Sequence, residues 1–512
     1  MTSIPQSLTT PDELDSPLGK LTFVDGAPSD DTVQKVFDHL DMSHAVNAYM
    51  NGYQLVSLQA IHKGIRQAGV EDNGGVLLFS GLMDSQSLFL TANADTVYYI
   101  FAIDVSDGPI VVETPPDALG LFDDFWFQHV IDFGRPGPDR GTGGKFLFVP
   151  PGYDGPMPDS GYHVGRPTTN ILMAFGRSFM VDSDPAPTVA TIKARLKIYP
   201  YTPGGYGTSI ATLLKGGPTP GKPAEITPVN FVEGTGLEIN TVPPSDYTYY
   251  ELLNEVVQEQ PSGTLSPEIV GSFAEIGIVK GHPFQPDDRM RNLMTNAAVV
   301  ASATGRALNW RFREQDGFGF YPDSAWYNML FVGGAGFETP PPAVNDGNIV
   351  PYPPTGYRTL NARFGFFYAA TGVTPSMCML LTDIGSQYLL AAVDSQKKYF
   401  DGAKSYRCTL PPNIPENNFW SFTVYDNQTR SMLQTPQRFP RAGSQSFPTP
   451  AAVPNADGSV DVYFGPQPPA GKESNWIQTM PGKGWFTILR LYSPLQAFFD
   501  KSWKAGEIEE IT

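Results

Sequence analysis

Apolar and polar positions along this chain change period several times. From Asp31 to about Ala68 they recur as in a helix: Val33, Val36, Phe37 and Leu40 lie on one face behind the N-capping Asp30 and Asp31. A second helical stretch follows, with Ala45, Ala48, Tyr49, Leu55 and Leu58 as its apolar members. Strand patterning takes over near Leu88. Thr96–Ile103 is rich in β-branched and aromatic residues and ends at Gly108-Pro109. Ile110–Glu113, Phe125–Asp132 and Lys145–Val149 continue it, and short strands punctuated by Gly and Pro predict a small sandwich. Helical spacing then returns over Thr188–Ile198, from Ser245 or Asp246 to about Val257, and over Pro286–Asn309. In the last of these Met290, Leu293, Met294, Ala297, Val300 and Ala301 mark one apolar face. The Gly/Pro-rich stretch from Thr202 to Pro228 reads as loop.

From about Lys404 the period is two again. Phe419–Tyr425, Ser459–Phe464 and Trp485–Tyr492 alternate, with Asp426-Asn427 and Asn455–Gly458 as turns. This predicts a jelly-roll-like sandwich with one face of each strand buried. The fold class expected is therefore mainly β with helical segments (α+β), two β-sandwiches joined by a helical region. The segments are a polar arm (1–30), a helical lead (31–85), a first sandwich (86–185), a connecting region (186–355) and a C-terminal sandwich (356–512).

Length supports more than one core, since 512 residues include 33 Phe, 23 Tyr and 7 Trp. The formal charge of −18 repels phosphate backbones and anionic lipid surfaces, and no dense Lys/Arg run offsets it. Nucleic acid and membrane are thus not expected partners. Cys378 and Cys408 allow at most one bridge and read as reduced, packed thiols. The first residues, Met1–Gln6, show no basic segment followed by an apolar core, so a cytoplasmic setting is expected.

Several strings together resemble a known pair of modules. Asn418–Asp426, Asn455–Ser459, Gly471–Trp476 and Arg490-Leu491-Tyr492 look like the domain of unknown function 1214. Asn93–Tyr99, Asp132 and Arg140–Gly144 look like its usual partner, the domain of unknown function 1254, and Ala48–Val56 resembles the helical lead of the same family. The resemblance implies an immunoglobulin-like sandwich ahead of the jelly-roll-like one, often in homo-oligomers, and implies no reaction. Many such relatives carry a signal peptide, from which this chain departs. The stretch from Thr202 to Pro244 also looks atypical.

Candidate chemistry is sparse. Asn93, Asp95 and Thr96 open a strand after a polar turn. They either orient a substrate, with Asp95 as base, or satisfy backbone donors in an Asx-turn. His129 and Asp132 stand an odd number of residues apart, so a regular strand sends them to opposite faces, and a shared ion would need a bulge. No His pair at metal-ligand spacing appears, and neither a metal nor a cofactor is expected. Arg140–Gly144 lacks the ending and the following helix of a phosphate loop and reads as a hairpin. Lys472, Asn475 and Trp476, with Trp420, form either a pocket wall with stacking surface or a pinned loop beside a core indole. Nucleophile-elbow and dinucleotide fingerprints are missing. Two functions follow as expectations. One is an enzyme acting on a small organic molecule by acid–base chemistry, hydrolase- or lyase-like. Asp95, Tyr98, Asp132, Tyr425 and Arg490 would be its catalytic residues, and Asn93, Thr96, Trp420, Lys472, Asn475 and Trp476 would bind the ligand. The other is a non-catalytic binder of a small ligand or sugar, or an assembly protein.

Overall fold

A computed structural model describes residues 4–222, 226–261, 263, 265–340, 344–345, 348–349 and 356–511. Met1–Ser3 of the expected arm, 223–225 of the expected loop and 350–355 at the end of the connecting region lie outside the described residues. The chain divides into two compact units, one of residues 1–56 with 243–304, the other of 57–242 with 305–512.

The smaller unit is helical, with a three-stranded ribbon (Glu13–Ser16, Gly19–Val24, Ala27–Pro28) near its start. Its centre is aromatic: the Tyr49 and Tyr249 rings stack at 3.8 Å. The Tyr249 hydroxyl donates to the Tyr49 carbonyl, and that of Tyr250 to the Ala45 carbonyl. Two expected helices prove to be one, Asp30–Gln67. Its first turns do not carry the expected buried face. Val36, Phe37 and Leu40 are exposed, and the buried apolar residues begin at Ala45. Val300, expected inside, is likewise exposed, while Met294, Ala297 and Ala301 are buried.

The larger unit holds two sandwiches. In the first, six strands form one sheet: β1 (Gly75–Leu78), β2 (Val97–Asp104), β3 (Ala118–Asp124), β4 (His129–Gly134), β5 (Ile171–Ser178) and β6 (Asn230–Glu233), in the order β6-β1-β2-β5-β3-β4. A four-stranded sheet of His163–Gly165, Lys145–Phe148, Ile110–Glu113 and Lys197–Pro200 covers one face. Between them Val97, Tyr99, Phe101 and Phe122 pack on Val112, Phe146 and Phe148. Three expectations shift here. The helix expected over Thr188–Ile198 stops at Arg195, and Lys197–Pro200 becomes a strand edge. A short helix, Ile210–Leu214, interrupts the expected loop, with the Ser209 hydroxyl accepting from the Thr212 amide. The strand expected over Phe125–Asp132 is broken at its start, where Phe127 takes a left-handed φ of 53° and the chain turns into β4.

The second sandwich pairs β7 (Ser386–Ala391), β8 (Glu416–Asp426), β9 (Arg441–Gly443) and β10 (Gly484–Pro494), in the order β7-β10-β8-β9, with Phe400–Asp401 also on β10. Its other sheet runs Trp476–Gln478, Val460–Gly465, Ser405–Leu410, Ile508–Ile511. Alternation along β8 and β10 sends Trp420, Phe422, Val424, Trp485, Leu489 and Leu491 into the core. The residues between them, such as Ser421, Thr423, Tyr425, Arg490 and Tyr492, take the opposite face, yet they too are buried. A strand polar on one face and nonetheless buried on both must have that polar face covered by protein. The first sandwich covers it. Among the described residues no helix is long and apolar enough to cross a membrane.

Candidate functional site

The two sandwiches are joined by a buried polar seam. Asp95 follows a turn in which its own amide donates to Asn93 Oδ1 at 2.7 Å, the Asx geometry that frees the carboxylate to point away from the strand. That carboxylate crosses to the second sandwich. Arg441 Nε donates to Oδ1 at 2.6 Å, while Ser421 Oγ and the Tyr492 hydroxyl donate to Oδ2 at 2.7 and 3.1 Å. Asn93 Nδ2 closes the ring by donating to the Tyr492 oxygen. Tyr425 donates to the Ala92 carbonyl at 2.6 Å, and Arg490 Nη2 to that of Thr91 at 2.9 Å. Thr96 is buried with its hydroxyl unpaired. Burial pushes the Tyr425 phenol up to about 12 against the pull of Arg490.

Beside this seam lies a cavity of about 180 Å³, mostly apolar, walled by Phe89, Leu121, Phe175, Met329, Phe366 and Ile488 among others. Its polar residues come from both sandwiches. On the first, Tyr98 of β2 is the cross-strand partner of Arg177 of β5. On the second, Tyr388 of β7 is the cross-strand partner of Arg490 of β10. The two Tyr–Arg pairs meet: Arg177 Nη1 donates to the Tyr388 oxygen at 3.1 Å, and the Arg490 guanidinium lies over the Tyr388 ring at 5.7 Å. All four residues line the cavity. Neither Arg177 nor Arg490 forms an ion pair with a carboxylate among the described residues.

This arrangement splits two chemically identical phenols. Burial alone would raise Tyr388, but Arg177, the Ser386 hydroxyl and Arg490 outweigh it and hold the phenol below its ordinary range. Burial dominates at Tyr98 and raises it, although Arg177 and Arg490 pull the other way. Two like groups driven apart in this way can share acid and base roles.

Asp132 lines another part of the wall. The bulge without which a regular strand would send His129 and Asp132 to opposite faces is present. Phe122 pairs with Ile131 but Asp123 with His129, leaving Val130 extra. His129 Nδ1 consequently stands 3.8 Å from Asp123 Oδ1 and 3.9 Å from Asp132 Oδ1. Ser376 Oγ donates to Asp132 Oδ2 at 2.6 Å. Among the described residues no group of three or more His, Cys, Asp or Glu is arranged to hold a metal ion.

Of the residues singled out in the sequence, Asn93, Tyr98, Asp132 and Arg490 reach the cavity wall, whereas Asp95, Thr96, Trp420 and Tyr425 do not. Trp420 packs in the second core. Lys472, Asn475 and Trp476 belong to a different sheet edge. There Asn475 is buried and bound to the Val453 backbone and the Asp461 carbonyl, and Trp476 Nε1 donates to the Gly465 carbonyl at 2.9 Å. Arg177 and Tyr388 went unnoticed in the sequence. For Arg177 the signal is a lone polar side chain on one parity of Ile171–Ser178; Tyr388 shares its parity in Ser386–Ala391 with Ser386 and Leu390.

Comparison with known proteins agrees with this division. A family described as protein of unknown function (DUF1254) matches residues 77–200, and one described as protein of unknown function (DUF1214) matches 385–496. No curated protein matches the chain. The crystal structure of the VPA0106 protein from Vibrio parahaemolyticus is similar over 92% of this chain and 100% of its own, with 18% identity and a TM-score of 0.50. That likeness concerns the fold alone. A putative uncharacterized protein from Burkholderia cenocepacia covers 94% of this chain and 90% of its own at 11% identity and a TM-score of 0.36.

Proposed function

We propose that this chain, which carries both the DUF1254 and the DUF1214 module, is an enzyme that acts on a small organic carboxylate by acid–base chemistry. One observation carries the reading. Two guanidiniums, the half-buried Arg177 and the buried Arg490, converge on the Tyr388 phenol in a mostly apolar cavity, without a protein carboxylate in ion-pair reach of either among the described residues. Buried charge is costly unless it is compensated, and planar guanidinium forks suit a carboxylate better than any other small anion except phosphate. The apolar walls favour a hydrocarbon body behind that carboxylate.

Within this reading Arg177 binds the carboxylate. Arg490, already tied to the Thr91 carbonyl, adds charge from behind. Tyr98 stays neutral and donates. Tyr388, the phenol most easily ionised, takes a proton from the ligand. Asp95 serves as the clamp that sets the two sandwiches, since its carboxylate is consumed by Arg441, Ser421 and Tyr492.

Calorimetric titration with hydrocinnamate and its neutral amide tests the reading. The acid should bind and the amide should not, and Arg177→Gln should weaken the acid by about tenfold or more, the value of a charge-assisted hydrogen bond. Equal binding of acid and amide would remove the carboxylate from the proposal.

A further inference from the structure

The Asp123–His129–Asp132 cluster is not explained by the arginine end of the cavity. Asp123 is fully buried, and neither of its carboxylate oxygens has a hydrogen-bond partner. His129 Nδ1 is buried and unpaired as well, yet within 4 Å of two carboxylates. Asp124 adds negative charge from the same strand, and the facing segment contributes Thr374 and Ser376, which are neutral. A purely structural cluster would saturate these atoms, because each unmade bond to a buried polar group costs about 1–3 kcal/mol. Of the three, only Asp132 lines the cavity, so the unsaturated Asp123 and His129 stand behind the group that would meet a ligand.

Burial raises Asp132, partly offset by His129 and the Ser376 and Thr374 hydroxyls; burial also raises Asp123, to about 6. For His129, burial opposes the charge, but Asp123 and Asp132 overcome it and favour the imidazolium. Burial thus favours the protonated form of Asp132 at the cavity wall, beside an imidazolium that would steady the carboxylate left when the proton departs. Ser376 occupies Oδ2, and Oδ1 stands 3.9 Å from His129 Nδ1. The Ser376 hydroxyl meets a carboxyl group and not an imidazole, the wrong order for activating a serine nucleophile. That argues for elimination over acyl transfer.

The sheet supplies a ruler. Arg177 pairs with Leu119 and Leu119 with Gly134, while Leu121, two residues along β3, pairs with Asp132. Arg177 and Asp132 thus lie two strands across and two residues along on one face, roughly 12 Å between Cα atoms at about 4.8 Å per strand and 3.3 Å per residue. Both side chains line the cavity from that face, and Arg177 reaches the Tyr388 oxygen of the second sandwich, so a small ligand would have to bridge the space between Arg177 and Asp132.

We propose that Asp132 donates a proton to a ligand oxygen, positioned by His129 and Asp123, and that the substrate is a β-hydroxy carboxylate which the site dehydrates. This rests on the carboxylate reading above. Tyr388 phenolate takes the proton from the carbon next to the carboxylate, and that C–H electron pair becomes the new C=C bond. The C–O bond breaks, and the departing oxygen takes the Asp132 proton and leaves as water. The proton now on Tyr388 passes through solvent back to the Asp132 carboxylate, so the cycle closes without a co-reactant.

β-Hydroxyhydrocinnamate is a direct probe, because its dehydration product, cinnamate, absorbs in the ultraviolet. The wild-type protein should bind hydrocinnamate and convert the hydroxy acid to cinnamate. Asp132→Asn should keep hydrocinnamate binding, which also shows that it folds, and should lose cinnamate formation by about a hundredfold or more. His129→Gln removes the cation that steadies the Asp132 carboxylate, so the falling high-pH limb of the rate profile should move to higher pH. A merely structural role would leave that limb in place. Wild-type protein that binds hydrocinnamate yet forms no cinnamate, or Asp132→Asn as fast as wild type, would overturn the dehydration while leaving the carboxylate site intact. Failure of hydrocinnamate itself to bind would overturn both.

Discussion

Arg441 and Asp95 form an ion pair at 2.6 Å with both side chains wholly buried, although 346 residues separate them in the chain. A buried pair of this kind gains little over a well-packed apolar substitute, but breaking it leaves one charge stranded in low dielectric. The pair therefore acts as a registration device. It specifies which edge of the second sandwich meets the Asn93–Asp95 turn, and so which residues surround the cavity.

Arg441→Met should destabilise the protein by about 3–5 kcal/mol, since Asp95 would keep only Ser421 and Tyr492. Adding Asp95→Asn to that variant should recover part of the loss. Urea unfolding of both variants checks this. A cost below about 1 kcal/mol for Arg441→Met would mean that water reaches the pair.

Gly120 lies on β3 with its α-carbon facing the Phe133 ring, and a Cβ there would come within 2.0 Å of Phe133 Cζ. Gly120→Ala should therefore cost about 1–3 kcal/mol through overpacking. Phe133→Leu in the same chain should relieve part of it. Thermal unfolding of the single and double variants, showing independent and additive losses, would contradict the clash.

Asp123 contributes a pH dependence with a definite sign. Its carboxyl is raised by burial from 3.8 to about 6, so the folded state binds the proton more tightly than the unfolded state. Stability from this group is present at low pH and declines as pH rises from about 4 to about 6, by roughly 3 kcal/mol at most. Asp123→Asn should remove that decline. The stability difference between variant and wild type, followed by urea unfolding across this window, should tilt toward the variant as pH rises; a flat difference rules the effect out.

Both cysteines are free. Burial pushes the Cys378 thiol up to about 12, and Cys408, which donates to the Gly506 carbonyl at 3.3 Å, higher still. The reactive thiolate is therefore scarce at neutral pH. An aromatic disulfide reagent should titrate neither thiol in the native protein and both after denaturation. Rapid native labelling of the buried Cys408 would show an opening that the closed fold does not contain.

Much of the fold was legible because alternation is a local property. Glu416–Asp426, Val460–Gly465 and Gly484–Pro494 announce themselves by parity, and Val97–Asp104 by its β-branched and aromatic content. Gly75–Leu78 and Ser386–Ala391 did not, the first being four buried residues without alternation and the second following Gly385 at φ 75°. Site residues were partly legible. Tyr98, Asp132 and Arg490 stood out, but Arg177 and Tyr388 gain meaning only where two strands from different sandwiches face each other. No local period encodes that meeting. Nor could periodicity reveal that the bulge at Val130 swings His129 and Asp132 together.

The distance in sequence between Asp95 and Arg441 also has a temporal meaning. At about 5–20 residues per second, a ribosome needs roughly 20–70 s to reach the arginine after the aspartate has been made. Throughout that interval the Asp95 carboxylate has only water to answer it, so the first sandwich must wait with that edge wet. Closure of the chamber is thereby deferred until the second sandwich has been synthesised as far as Arg441.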